Sequence, residues 1–150
     1  IEEIGLKIDQ YQLDIIQLHG NESVGFCEAL KQYNIKIIKA FSVDNYFDFS
    51  TLKRYTPHVD YFLFDTKGKL PGGNGIIFNW KILENYTYEK PFFLSGGIGK
   101  TEIDAIKSFL KTDVAKRCVS IDVNSRFEIE SGLKNKEKLQ EFKTQIYESV

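Results

Sequence analysis

Ile1, Ile4, Ile8 and Tyr11 recur near the i, i+3, i+7 and i+10 positions of one helical face, while Glu2, Glu3, Lys7 and Asp9 fall elsewhere. That spacing predicts an opening helix. Five short β-rich runs follow, over 14–19, 35–40, 60–65, 91–96 and 118–123, each leading into a polar or Gly-bearing turn and then helical material. Helical faces are readable at Phe26, Ala29, Leu30 and Tyr33, at Ile103, Ile106 and Leu110, and at Leu139, Phe142 and Ile146. Thr101 with Asp104 has the spacing of a capping box.

Strands separated by crossover helices imply parallel pairing, because no tight hairpin is signalled between them. The class is therefore α/β. An open doubly wound sheet and a closed barrel both satisfy this rhythm, and five βα units alone would suit the open sheet. The polar positions favour the barrel. With a period of two, Gln17 and His19 share a face with Ile15, and Asp65 shares one with Tyr61 and Leu63. Polar groups thus collect at the C-terminal strand ends, where barrel sites lie. A complete barrel takes more than about 200 residues, so three βα units are expected to precede Ile1, and residues 1–150 are expected to form a single, N-terminally incomplete barrel domain.

Composition narrows the partners. With 42% hydrophobic and 27% charged residues, the chain has the apolar content for one core and no mark of disorder. A formal charge of −1 with interspersed signs offers no basic stripe for nucleic-acid phosphates, which points to a small-molecule partner. No apolar stretch approaches the ~18–20 residues of a membrane span, and no leader pattern opens the chain, so a cytoplasmic protein is expected. Cys27 and Cys118 lie far apart without C-x-x-C spacing or paired histidines, so neither a metal site nor a disulfide framework is expected. The sequence contains no methionine and opens on Ile1, which suggests that its beginning is missing.

Three segments carry candidate chemistry. In Asp14-Ile-Ile-Gln-Leu-His-Gly-Asn-Glu-Ser23, His19 ends a strand before a glycine, a setting that suits a ligand-facing imidazole and a hydrogen-bonded structural one equally. In Tyr61-Phe-Leu-Phe-Asp-Thr-Lys67, Asp65 ends an apolar strand beneath a loop bearing Gly72, Gly73 and Gly75. Desolvation there would favour the protonated carboxyl and an acid role, although Asp65 could equally cap the next turn or pair with Lys39 or Lys67. The glycines suit a loop closing over a ligand, and also an ordinary βα loop. In Phe92-Phe-Leu-Ser-Gly-Gly-Ile-Gly99, the Gly96 and Gly97 amides can hold phosphate without side-chain charge, and Ser120-Ile-Asp-Val-Asn-Ser-Arg126 ends the final strand beside them. Phosphate commonly binds at the loops after the last two strands of a barrel.

The run Q-L-H-G-x-E over 17–22 and the run G-G-x-G-x-x-F-x-W over 72–80 resemble the phosphoribosylanthranilate isomerases. In that family the sequence also continues through paired glycines to D-V-S-S-G-V-E, where this chain reads D-V-N-S-R-F-E, and to P-G-x-K-D, which 131–135 follows with Ser131 and Asn135 substituted. Asn74 and Asn79 stand where the family has Thr or Ser and Asp, and Arg126 replaces a glycine. Such a change weakens the case for close amide approach there, while a guanidinium could bring charge to the phosphate.

The resemblance implies a (β/α)8 TIM barrel of which this chain supplies helix 3 and strands 4 to 8. It implies an Amadori rearrangement of a phosphorylated small-molecule substrate in tryptophan biosynthesis, with Asp65 as the acid. Gln17, His19, Gly72, Gly73, Gly75, Gly96, Gly97, Asp122, Asn124 and Ser125 would line the substrate, no cofactor would be needed, and a monomer or homodimer is expected. The family's base is a cysteine in a K-I-C-G motif, which these residues lack; Cys27 and Cys118 are expected to be packing residues. The piece is then expected to be inactive alone and to expose two strand edges prone to association. Another phosphate-binding barrel enzyme, or a non-catalytic phosphate-binding module, remains the alternative.

Overall fold

A computed structural model describes residues 1–66 and 79–147. Five parallel strands, β1 (Ile15–Leu18), β2 (Lys36–Val43), β3 (Tyr61–Thr66), β4 (Phe92–Leu94) and β5 (Cys118–Ile121), form one sheet in the order β1-β2-β3-β4-β5. All five fall within the runs expected from the sequence, apart from short extensions of β2 and β3. The register pairs Gln17 with Ile38, Ala40 with Leu63, and Ser42 with Asp65. Among the described residues β1 and β5 are the edges of the sheet, and Ile15 and Val119 on them are exposed.

Among the described residues four α-helices accompany the sheet: α1 (Glu2–Tyr11), α2 (Val24–Leu30), α3 (Ile103–Leu110) and α4 (Lys136–Tyr147). Ile8 is buried on α1, while Ile1 and Tyr11 at its ends are exposed. The helix passes so close to Tyr33 that a Cβ on Gly5 would run into the ring, which explains a residue otherwise unfavourable by up to about 1 kcal/mol in a helix interior. Ser23 caps α2 by accepting the Phe26 amide at 3.2 Å, and Cys27 and Leu30, rather than Phe26 and Ala29, are its fully buried residues. After β2 and β3 the described connections carry 3₁₀ turns, Phe49–Arg54 and Trp80–Asn85, capped by Asp48 and Asn79. Each buries two residues three apart, Phe49 with Leu52 and Trp80 with Leu83.

Two details depart from expectation. The cap before α3 is not Thr101 with Asp104: the Glu102 carboxylate accepts the Gly99 amide at 2.7 Å, and the Thr101 hydroxyl donates to Glu102. A 3₁₀ turn, Lys100–Glu102, precedes the helix and shifts its start. A small antiparallel hairpin, β6 (Glu128–Glu130) and β7 (Leu133–Lys134), also lies ahead of α4, turning at Gly132.

The distribution of the core decides between the two closures. Ile8, Cys27, Leu30, Ile106, Phe109 and Phe142 from the helices join Ile37, Phe62, Phe64, Phe92 and Leu94 from the strands in one cluster. The opposite face of the sheet carries a separate cluster of strand residues alone, Ile38, Ala40 and Leu63 with Tyr61 and Phe93 against it. A doubly wound sheet would be covered on both faces and would reverse its strand order. Here the order is sequential and the helix-borne core lies on one side, which is the arrangement of a barrel wall. Among the described residues no helix is long and apolar enough to cross a membrane.

Candidate functional site

Strand parity builds the site. On the helix-free face, where Lys36 and Ser120 lie lower down, polar positions gather at the C-terminal ends, with Gln17 and His19 at β1, Ser42 on β2, Asp65 on β3, Ser95 after β4 and Asp122 after β5. Below them the same face carries the apolar Ile38, Leu63 and Phe93. These polar ends, Ser42 apart, surround a cleft of about 430 Å³, within the range of small-molecule sites.

On one side of the cleft the Gln17 side-chain amide donates to Nδ1 of His19 at 2.7 Å. That bond leaves the ring proton on Nε2 in the neutral tautomer. Nε2 in turn lies 3.4 Å from Oδ2 of Asp65, whose side chain is 28% exposed. The pair is close enough for the imidazole to steady a carboxylate and open enough for a ligand to reach it. The neighbouring Lys39 does not pair with Asp65: it lies on the opposite face of the sheet and meets Glu22 instead. Lys67, the other partner considered, and Gly72, Gly73 and Gly75 lie outside the described residues.

On the other side Ser95 is buried and donates to Oδ2 of Asp122 at 2.8 Å. Its own amide bonds to Phe64 O, and the Asp122 amide to Leu94 O, so both side chains are held by the sheet ladder. Gly96 and Gly97 follow with φ of 96° and 63°. A Cβ on Gly96 would strike the amide nitrogen and Oγ1 of Thr66, so glycine is required on steric as well as conformational grounds. Asn124, Ser125 and Arg126 complete this rim.

The structure therefore brings Gln17, His19, Asp65, Gly96, Gly97, Asp122, Asn124 and Ser125 to one cleft. Sequence reading missed Ser95 and Ile98, which also line it. Ser95 was reachable: it lies two positions beyond Phe93 and so shares its face. Asn79, a departure from the family pattern, caps its 3₁₀ turn by accepting the Lys81 amide at 3.1 Å, a task Asn performs as well as Asp. Cys27 is fully buried on α2 and Cys118 sits at the start of β5, away from the cleft end of the sheet; burial raises both thiols, Cys118 to about 11. Among the described residues no group of three or more His, Cys, Asp or Glu is placed to hold a metal.

Comparison with known proteins places this geometry in a family. The family model described as N-(5'-phosphoribosyl)anthranilate (PRA) isomerase matches residues 1–145. A protein named N-(5'-phosphoribosyl)anthranilate isomerase from Parabacteroides distasonis is 45% identical over 146 residues, covering 97% of this chain and 64% of the relative. One of the same name from Phocaeicola vulgatus is 36% identical, over 99% of this chain and 71% of its own length. In fold, the chain is similar to a phosphoribosyl anthranilate isomerase from Thermus thermophilus, with a TM-score of 0.79 at 23% identity over 99% of this chain and 68% of that one.

Proposed function

The chain belongs to the N-(5'-phosphoribosyl)anthranilate isomerase family, and we propose that it carries the acid and the substrate cleft of that isomerisation in tryptophan biosynthesis. Asp65 protonates the ribose ring oxygen as the C1–O bond breaks, and the anthranilate nitrogen lone pair forms the C1=N bond of a Schiff base. A base then removes the C2 proton, and the resulting enol-amine becomes the ketose. His19, oriented by Gln17, holds Asp65 in the direction of the ring oxygen. Gly96, Gly97, Asn124 and Ser125 take the phosphate, and Asp122, tied to Ser95, faces the sugar. Gly72, Gly73 and Gly75 belong to the loop over the substrate. Acid–base isomerisation of this kind calls for no cofactor.

The family resemblance assigns the base to a K-I-C-G cysteine, a motif absent from these 150 residues, and the raised thiols of Cys27 and Cys118 make both poor substitutes. Residues 1–150 then form one domain contributing helix 3 and strands 4 to 8 of a TIM barrel, with the exposed edges of β1 and β5 as the places where three further strands join. The role fits a cytoplasmic enzyme working as a monomer or homodimer.

The observation that carries this reading is the convergence of His19 and Asp65, 3.4 Å apart, opposite the Gly96–Gly97 rim of one cleft. The test is genetic and enzymatic: the gene containing this sequence is placed in a bacterium lacking the isomerase, and the purified product is assayed for loss of phosphoribosylanthranilate. Growth without tryptophan is expected, with Asp65→Asn lowering kcat by about 10²–10⁴-fold, the contribution of a general acid. Phosphate binding without turnover would leave the non-catalytic module instead.

A further inference from the structure

Lys39 is the most deeply buried cation among the described residues, 2% exposed, on the helix-facing side of β2 where its neighbours are apolar. An ammonium has three donors, and three near acceptors surround it: Gly20 O at 2.8 Å, Ala40 O at 2.9 Å and Oε2 of Glu22 at 3.1 Å. Leu18 O stands farther off at 3.5 Å, and the Phe41 ring centroid lies 5.0 Å away. Leu18 and Gly20 flank His19, so Lys39 reaches the backbone on both sides of the histidine. Glu22 folds back to accept the Gly20 amide with both carboxylate oxygens at 3.1 Å. Gly20 makes room for this, since a Cβ there would sit 3.0 Å from Oε1 of Glu22.

We propose that Lys39 and Glu22 form a clamp that grips Gly20 by its carbonyl and its amide and thereby fixes the His19 imidazole against Asp65. Lys39 is then a positioning residue: it touches no ligand and acts through the histidine, from the far side of the sheet. Strand β1 ends at Leu18, so beyond that residue the sheet ladder no longer holds the backbone, and the clamp takes over one residue later. The inference rests on the proposed acid role of Asp65 for its kinetic part, and stands apart from it for its structural part.

The test uses Lys39→Met, Lys39→Arg and Glu22→Ala in the whole chain. Only two histidines are present, and His58 lies before β3, at the opposite end of the sheet, as an internal control. Nitrogen-15 signals of the imidazoles are expected to move for His19 and stay in place for His58 in Lys39→Met, with the His19 ring nitrogens drawn toward tautomer averaging, and to return toward wild type in Lys39→Arg. In the gene product, kcat is expected to fall about 10- to 100-fold with KM nearly constant, the scale of a misplaced reacting group. Should Lys39→Met fail to fold, Glu22→Ala removes the acceptor for the Gly20 amide together with the charge, and the same His19 shift is expected. Unmoved His19 signals in a folded Lys39→Met or Glu22→Ala protein would overturn the clamp. Unchanged kcat in Lys39→Met, in an enzyme that needs Asp65, would overturn the positioning role while the isomerase reading stands. A wild-type protein without turnover would sink that reading, and the ring signals would still decide the clamp.

Discussion

His19 and Asp65 approach to 3.4 Å although strand β2 runs between the strands that carry them. Neighbouring strands lie about 4.8 Å apart, so the two side chains must meet above the residues of β2 that face the same way. Those residues are Ala40 and Ser42, level with Leu63 and Asp65. Both are small, and the gap they leave is what the pair spans.

A larger side chain at that gap should separate the pair without disturbing the helix-side core. Ser42 is exposed, so Ser42→Leu is expected to shift stability within about 0.5 kcal/mol, as surface changes usually do. The kcat is expected to fall by up to about 10²-fold. Thermal melting and steady-state kinetics on the same preparation check both.

Arg126 stands where the family pattern has glycine, on the cleft rim with Gly96, Gly97 and Ser125. Its carbonyl accepts from Lys138 at 2.6 Å, which ties its backbone to α4 while the side chain is exposed. A charge-assisted hydrogen bond contributes about 1.5–3 kcal/mol, so Arg126→Gly is expected to raise KM and weaken competition by inorganic phosphate about 10- to 100-fold. Little change in kcat should accompany it. Measuring the phosphate inhibition constant at low and high salt checks the charge component; equal constants in the two proteins would remove Arg126 from the site.

Burial alone would raise the Glu22 carboxyl, but backbone hydrogen bonding, the Lys39 hydrogen bond and charge, and the Gly20 amide together hold it below its ordinary value. A carboxyl lowered on folding stabilises the fold above the unfolded-state value, about 4.3 for Glu, and loses that contribution as pH falls through the lower folded value. Stability is therefore expected to be flat near neutrality and to decline below about pH 4.3. Glu22→Gln should flatten part of this acid limb. Asp60, lowered against its own burial by Lys31 and the Ile37 amide, will keep a further part, beside the other lowered carboxyls Asp48, Glu89, Asp113 and Glu128. Urea midpoints measured between about pH 3 and pH 7 report this directly.

Cys27 is fully buried, and burial pushes the Cys118 thiol up to about 11. At pH 7 its thiolate fraction is then roughly one in ten thousand, and the thiolate is the nucleophile. Iodoacetamide labelling of the native chain is expected to be at least about 10²-fold slower than in denaturant, as read by intact mass. Rapid labelling of Cys118 would contradict its packing role.

The sequence pattern carried the fold where alternation was clean. Within 15–19 and 61–65 the polar residues fall on one parity, and Gln17, His19 and Asp65 land together at the cleft. In 35–43 the run Ile-Lys-Ile-Ile-Lys-Ala-Phe-Ser-Val mixes both parities, and nothing in it says which lysine faces where. Lys39 could therefore be paired on paper with Asp65, whereas the register turns it to the other face and into Glu22. The α3 cap was displaced because a 3₁₀ turn at its start changes which residue lies three from the cap. The small hairpin ahead of α4 went unread because only Ser131-Gly132 marked it, with no alternation long enough beside it.

The one-sided placement of the helices has a consequence for how such a protein changes over generations. Residues that face the cleft and residues that hold the wall together alternate along the strands, so the proposed reactivity and robustness are written on separate positions. Replacing Gln17, Asp65 or Ser95 can retool the cleft while Phe62, Phe64 and Phe92 on the other face go on packing as before. Lys39 is where that insulation breaks: a residue on the structural parity that reaches round the end of β1 to the reactive one. Substitutions there are expected to be felt on both sides of the wall at once, and drift at this position should be correspondingly slow.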